Sequence, residues 1–319
     1  MKRTILSCVV ASGLLFSTQA LAETSSIDLF VGDFMGIATV DTVKLAANSM
    51  IDKAISDNAN QGDVQDVLKA LSDYGIDYKK DIGVVTVAAN EKGDFCLAVD
   101  AKKSLSDAVK KYVEKAKESL KTKDHKGVTV YASEDSTAAL VSEKRLVACD
   151  NGLDILPIID NAMAAKPKLL KDRDSALYKA YSATAKSSDV RIGAKMTPTM
   201  RKSYGHYSLD DGAEKKVSVG DVQSASLSID FSKGLNIEVI AQSKAADKAK
   251  MGAEILTKQV GGLLSDPAME QLGLGFLNSA VKFSAEKSSL KGTLALTNDQ
   301  ITQIAMLFTE LTAGAAPAK

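Results

Sequence analysis

One order of elements runs twice through this chain of 319 residues: strand, helix, hairpin, long helix, hairpin, helix. In the first half, residues 34–40 form an apolar strand. Asp41 then opens a helical stretch with Val43, Ala46, Ala47, Met50, Ile51 and Ala54 at three- and four-residue spacing. A second helix over 63–74 stops at Gly75, and strands at 82–89 and 95–100 are joined by the Asn90-Glu91-Lys92-Gly93-Asp94 turn. An amphipathic helix with Leu105, Val109, Tyr112 and Leu120, strands at 128–132, 138–142 and 145–149, and a helix over 153–164 complete this half. In the second half, a strand at 190–196 leads through a polar loop, 203–221, into another hairpin. There Ala225, Leu227, Ile229 and Phe231 alternate with Ser224, Ser226, Ser228 and Asp230, and Leu235, Ile237, Val239 and Ala241 continue the pattern on the return strand. Alternation of this kind marks a sheet with one covered and one wet face, which predicts the apolar row inward and the serine row in solvent. A long helix over 244–264, a shorter one over 267–280, a hairpin at 281–285 and 290–296, and a last helix opened by a Thr297/Gln300 capping box follow.

The spacing between the halves is steady. Ile82 to Val222 is 140 residues, Lys103 to Lys244 is 141 and Leu153 to Asn298 is 145, while the first strands and the last hairpins stand about 155 apart. Such spacing suggests a duplicated unit. Helices set between antiparallel hairpins predict the α+β class, as two related lobes, each an antiparallel sheet of hairpins with helices packed on one face. The expected organisation is a signal peptide over 1–22, an N-terminal linker over 23–32, lobe 1 over 33–165, lobe 2 over 166–312 and a disordered tail over 313–319.

Lys2 and Arg3, the apolar run 5–16 and the Ala20-Leu21-Ala22 triplet match an export signal cleaved before Glu23. The expected location is therefore periplasmic or secreted, and no later stretch reaches the roughly 20 apolar residues of a transmembrane helix. That compartment bears on Cys96 and Cys149, which admit two readings. One is a disulfide, whose loop the chain-entropy model values at roughly 4 kcal/mol. The other is a pair of buried thiols packed as small hydrophobes. Forty basic side chains balance forty acidic ones, and Trp is absent beside eight Tyr and eight Phe, a composition that argues against nucleic acid as a partner.

The turn and strand from Gly75-Ile76-Asp77 to Val87, and the run 138–150 leading into a helix, sit within this repeated order. On these features the chain resembles, over residues 33–312, a set of uncharacterised exported bacterial proteins built from two α+β halves. The resemblance implies the fold and an envelope location, and it carries over no catalytic residue.

No G-x-S-x-G elbow, P-loop, G-x-G-x-x-G turn, H-E-x-x-H or cysteine pair at metal spacing occurs, and only His125 and His206 offer an imidazole. The S-x-x-K matches at Ser284 and Ser288 fall in a hairpin rather than at a helix start. No catalytic residue, cofactor or metal site is assigned. Nine lysines between 102 and 126 read as a solvated helix face. The loop 203–221 gathers Tyr204, His206, Tyr207, Asp210 and Asp211, and is the candidate partner-binding loop. These readings favour an exported non-enzymatic envelope protein that binds or scaffolds a macromolecular partner. One alternative is a carrier of a small apolar or lipid ligand, held between the lobes or between sheet and helices, with Met251, Met269 and Met306 as adaptable lining. Another is an enzyme whose site is assembled only in space.

Overall fold

A computed structural model describes residues 25–57, 62–210 and 216–314. The expected signal segment, Asp211 and residues 315–319 lie outside the described residues. By its internal contacts the chain divides into two units, 1–179 and 180–319. The class is α+β, with antiparallel sheets.

Unit 1 opens with α1 (Ser26–Leu29) and β1 (Gly36–Asp41). The helices α2 (Thr42–Ala47), α3 (Ser49–Asp57), α4 (Gly62–Asp73) and α5 (Tyr78–Asp81) precede β2 (Ile82–Ala89). Next come β3 (Phe95–Ala101), α6 (Ser106–Ala116), β4 (Lys121–His125), β5 (Val128–Ala132), β6 (Ser136–Ser142) and β7 (Arg145–Asp150). The helices α7 (Leu156–Ala162), α8 (Leu170–Arg173) and α9 (Ser175–Ser182) follow, the last crossing into unit 2. The strands order β1-β2-β3-β7-β6-β5-β4. Gly75 ends α4 as its sequence position requires: it takes φ 75°, and Ile76 N donates to Leu71 O at 2.8 Å, satisfying a helix-end carbonyl. Leu71 and Tyr74 at that end, with Tyr78, close over a core of Leu97, Val99, Val109, Leu140 and Leu146, and Tyr74 meets Tyr112 edge-to-face at 5.8 Å.

Two stretches of this unit depart from expectation. Residues 26–30 are no linker, because Leu29 and Phe30 are fully buried, each worth about 1.5–3 kcal/mol. The backbone there is tied down as well: Asn161 Nδ2 and an Arg173 guanidinium N–H donate to Asp28 O at 2.6 and 2.8 Å, and Leu170 N donates to Asp28 Oδ1 at 2.6 Å. The lysine run does not lie on one helix. It is shared between α6 and the exposed β4, Lys-Thr-Lys-Asp-His, which has no apolar alternation to betray it and whose charges suit a sheet edge that must not pair further.

Unit 2 contains β8 (Val190–Lys195), α10 (Pro198–Tyr204), β9 (Ser208–Asp210), β10 (Lys216–Ser218), β11 (Val222–Asp230) and β12 (Leu235–Ser243). Then come α11 (Ala246–Leu264), α12 (Pro267–Gln271), α13 (Leu277–Ala280), β13 (Val281–Glu286), β14 (Ser289–Leu296) and α14 (Asn298–Gly314). The sheet orders β8-β11-β12-β14-β13, and β9 pairs only with β10 among the described residues. The capping box forms, with Thr297 N donating to Gln300 Oε1 at 2.9 Å and Gln300 N to Thr297 Oγ1 at 3.3 Å. α14 continues through Gly314, two residues into the segment expected to be disordered. The stretch 203–221 is likewise more than a loop, since the paired strands β9 and β10 pack on α11.

The serine row is the main reversal. Ser224, Ser226 and Ser228 are buried, whereas Ala225, Leu227 and Ile229 stay half-exposed. The cause lies in the neighbouring strand, where Gly193 pairs with Ser226 and a Cβ on Gly193 would stand 2.3 Å from the Tyr181 backbone nitrogen. Small side chains admit Tyr181 to this face, with the Arg191 guanidinium 4.2 Å from the centre of the Tyr181 ring.

The strands of each unit follow one pairing scheme. Gly36↔Ala89 to Asp41↔Val84 in unit 1 is matched by Val190↔Ile229 to Lys195↔Ser224 in unit 2. The next ladder begins Ile82↔Ala101, skips Gly83 and resumes at Val84↔Asp100; its counterpart begins Val222↔Ser243, skips Gln223 and resumes at Ser224↔Gln242. Cys96↔Cys149 falls where Glu238↔Thr293 falls, and Ser136↔Asp150 where Val281↔Leu294 does. The last hairpin of unit 2 thus answers to β6–β7 rather than to a pair 155 residues earlier, and β4–β5 has no counterpart among the described residues. One interval differs. Residues 42–81 join the first two strands of unit 1, and only 196–221 join those of unit 2, a difference of 14 (40 against 26).

Candidate functional site

That shorter interval leaves a sheet face uncovered. In unit 1, Leu97, Val99, Ala138, Leu140, Leu146 and Ala148 are buried beneath α4, α5 and α6. Their register counterparts in unit 2 are Val239, Ala241, Phe283, Ala285, Leu290 and Gly292, none of which is buried, and Val239 is 44% exposed. Here α11 lies chiefly against β13 and β14, brought close by small residues: a Cβ on Gly252 would touch Leu290 at 3.6 Å, and Ala249, Ala253 and Ile255 are buried. Phe283 lies across Gly292, where a Cβ would meet its ring at 3.2 Å, so the ring sits down on the sheet instead of filling the space above it.

The result is a groove of about 320 Å³ between α11 and the sheet. Ile237, Val239, Ala241, Leu256, Leu290 and Leu294 line it, and almost all of its surface is apolar. Its size is at the lower end of the roughly 300–1,000 Å³ range of small-molecule sites. Phe283 is shared with an adjoining open depression of about 760 Å³ rimmed by Lys250, Lys258 and Lys287 and by Asp247 and Glu254. Such an arrangement can hold an apolar chain and offers no hydrogen-bonding constellation within the groove itself. None of Met251, Met269 and Met306 lines the groove, and Met306 is 62% exposed on α14.

The residues singled out from sequence fall elsewhere. Cys96 and Cys149 are joined by a disulfide across β3 and β7 in unit 1. Tyr204 ends α10 and Tyr207 precedes β9; both are largely exposed, with His206 and Tyr207 ring centres 4.1 Å apart and Tyr204 and Tyr207 6.4 Å apart. Asp210 lies on β9, where its carbonyl accepts from Gln259 of α11. His125 is in unit 1, where its Nε2 lies 2.6 Å from Asp160 Oδ1, and Lys126 Nζ reaches the same oxygen at 2.8 Å. Hydrogen bonds from Lys126 and then from His125 hold the Asp160 carboxyl below the ordinary carboxylate range. This cluster ties the β4–β5 turn to α7. The groove residues escaped sequence reading because their alternation marks them as core; the available signal was the shortened interval before β11.

Solved structures show a relative of the architecture. TP0453 in its crystal form IV superposes with a TM-score of 0.50 at 10% identity, over 89% of this chain and 96% of that one. The likeness is one of fold. Crystal form III of TP0453 gives 0.48 at 11% identity, over 89% and 98% of the two chains. No protein family and no curated protein matches the sequence. No helix among the described residues is long and apolar enough to cross a membrane.

Proposed function

We propose that this is an exported, non-enzymatic binding protein whose second unit carries an apolar chain in the groove beneath α11. The observation behind this reading is the contrast between two sets of strands of one register: the face sealed by Leu97, Leu140 and Leu146 in unit 1 is open at Val239, Ala285 and Leu290 in unit 2. An apolar face left open costs stability of about 25 cal/mol for each Å² not buried, which a bound chain would restore. Export is supported by the pattern of residues 1–22 and by a buried disulfide, a bond that persists in oxidising compartments. Duplication is supported by the shared ladders and by the bulge repeated at Gly83 and Gln223. A second reading, docking of a macromolecular partner, is favoured by the exposed Tyr204 and Tyr207 beside His206.

The test uses a fluorescent acyl probe, whose signal no tryptophan of this chain obscures. Val239→Asp puts a charge on the groove floor, where an apolar chain would have to desolvate it. Affinity should fall at least tenfold while stability changes by no more than about 0.5 kcal/mol, Val239 being partly exposed. Unchanged affinity in the variant, or no binding to the wild type, refutes the reading.

A further inference from the structure

We infer that the occupant is a single-chain amphiphile with an acidic head, its tail in the groove and its head among Lys250, Lys258 and Lys287. The inference rests on the apolar-chain reading above and names the ligand class. Phe283 walls both the groove and the lysine-rimmed depression, so the apolar groove adjoins a second space whose rim is charged. Lys250, Glu254 and Lys258 are spaced one helical turn apart on one side of α11, and Lys287 faces that rim from the β13–β14 turn. With Asp247 and Glu254 counted, the rim holds three cations against two anions, in a chain that carries no net charge. A head bearing one or two negative charges matches that surplus; a cationic head would meet it unfavourably. The groove, near the minimum size for a ligand site, suits one chain better than the two tails of a membrane lipid.

Titration calorimetry on the full chain without its signal, at low salt and below micellar concentrations, compares dodecanoate, dodecyl phosphate and dodecan-1-ol. The tail is constant and only the head changes. The wild type should bind both acids about tenfold more tightly than the alcohol, the sum of three exposed charge contacts of modest strength. In the Lys250→Gln/Lys258→Gln/Lys287→Gln variant the acids should fall to the affinity of the alcohol, whose own affinity stays the same. These lysines are exposed, so the variant should fold. Raising the salt to 0.5 M should shrink the preference in the wild type alone. Equal binding of acid and alcohol to the wild type, or an acid preference that survives in the triple variant, overturns the head-group assignment while leaving the groove reading intact. Failure of all three compounds to bind overturns both.

Discussion

Leu146→Ala should destabilise unit 1 by about 2–5 kcal/mol, the cost of a cavity in a sealed core, whereas Leu290→Ala should cost unit 2 only about 1 kcal/mol, because its side chain keeps contact with solvent. Both leucines occupy the same register position, Leu146 opposite Leu140 and Leu290 opposite Ala285. Leu146 is wholly buried and Leu290 is not, so the pair isolates covering from sequence position. The units need not unfold together, which makes a single melting temperature a poor measure. Native-state hydrogen exchange at β3 and β7 against β12 and β14 reads the two losses separately. Equal losses would mean that the second face is as well covered as the first.

Removing the disulfide should have an effect of similar size. In Cys96→Ala/Cys149→Ala, the link across a sequence separation of 53 disappears and unit 1 should lose about 4 kcal/mol, lowering its melting temperature by about 10 °C. Alanine is the better replacement, since a serine hydroxyl at these buried positions would need a hydrogen-bond partner. The loss should be confined to unit 1. Unit 2 holds Glu238 and Thr293 at the matching positions, with Glu238 in an ion pair to Lys291, and its acyl binding should not change. A loss below about 1 kcal/mol would show that the strand ladders alone hold β3 to β7 and that the link constrains little in the unfolded chain.

What the sequence made legible was local. Gly75, the Asn90–Asp94 turn and the Thr297/Gln300 box each fix a backbone event within a few residues, and each is found where those residues stand. Strand alternation showed that Ser224, Ser226 and Ser228 share a face, but the choice of which face is covered depends on Gly193 admitting Tyr181, a contact between distant segments. Leu29 and Phe30 carry no such signal, because one core residue at the end of a four-residue helix and one just after it make no periodicity. The groove was hidden for a different reason. Leu146 and Leu290 look alike in sequence, and only the fuller helical cover over Leu146 separates them.

Methyl NMR of the full chain titrated with dodecanoate tests the open second face most directly. The methyls of Val239, Leu256, Leu290 and Leu294 should shift together and saturate, while those of Leu97, Val99, Leu140 and Leu146 at the sealed face stay in place. Shifts confined to unit 1 or to the surroundings of Tyr204 and Tyr207, or no saturable shift at all, would contradict it.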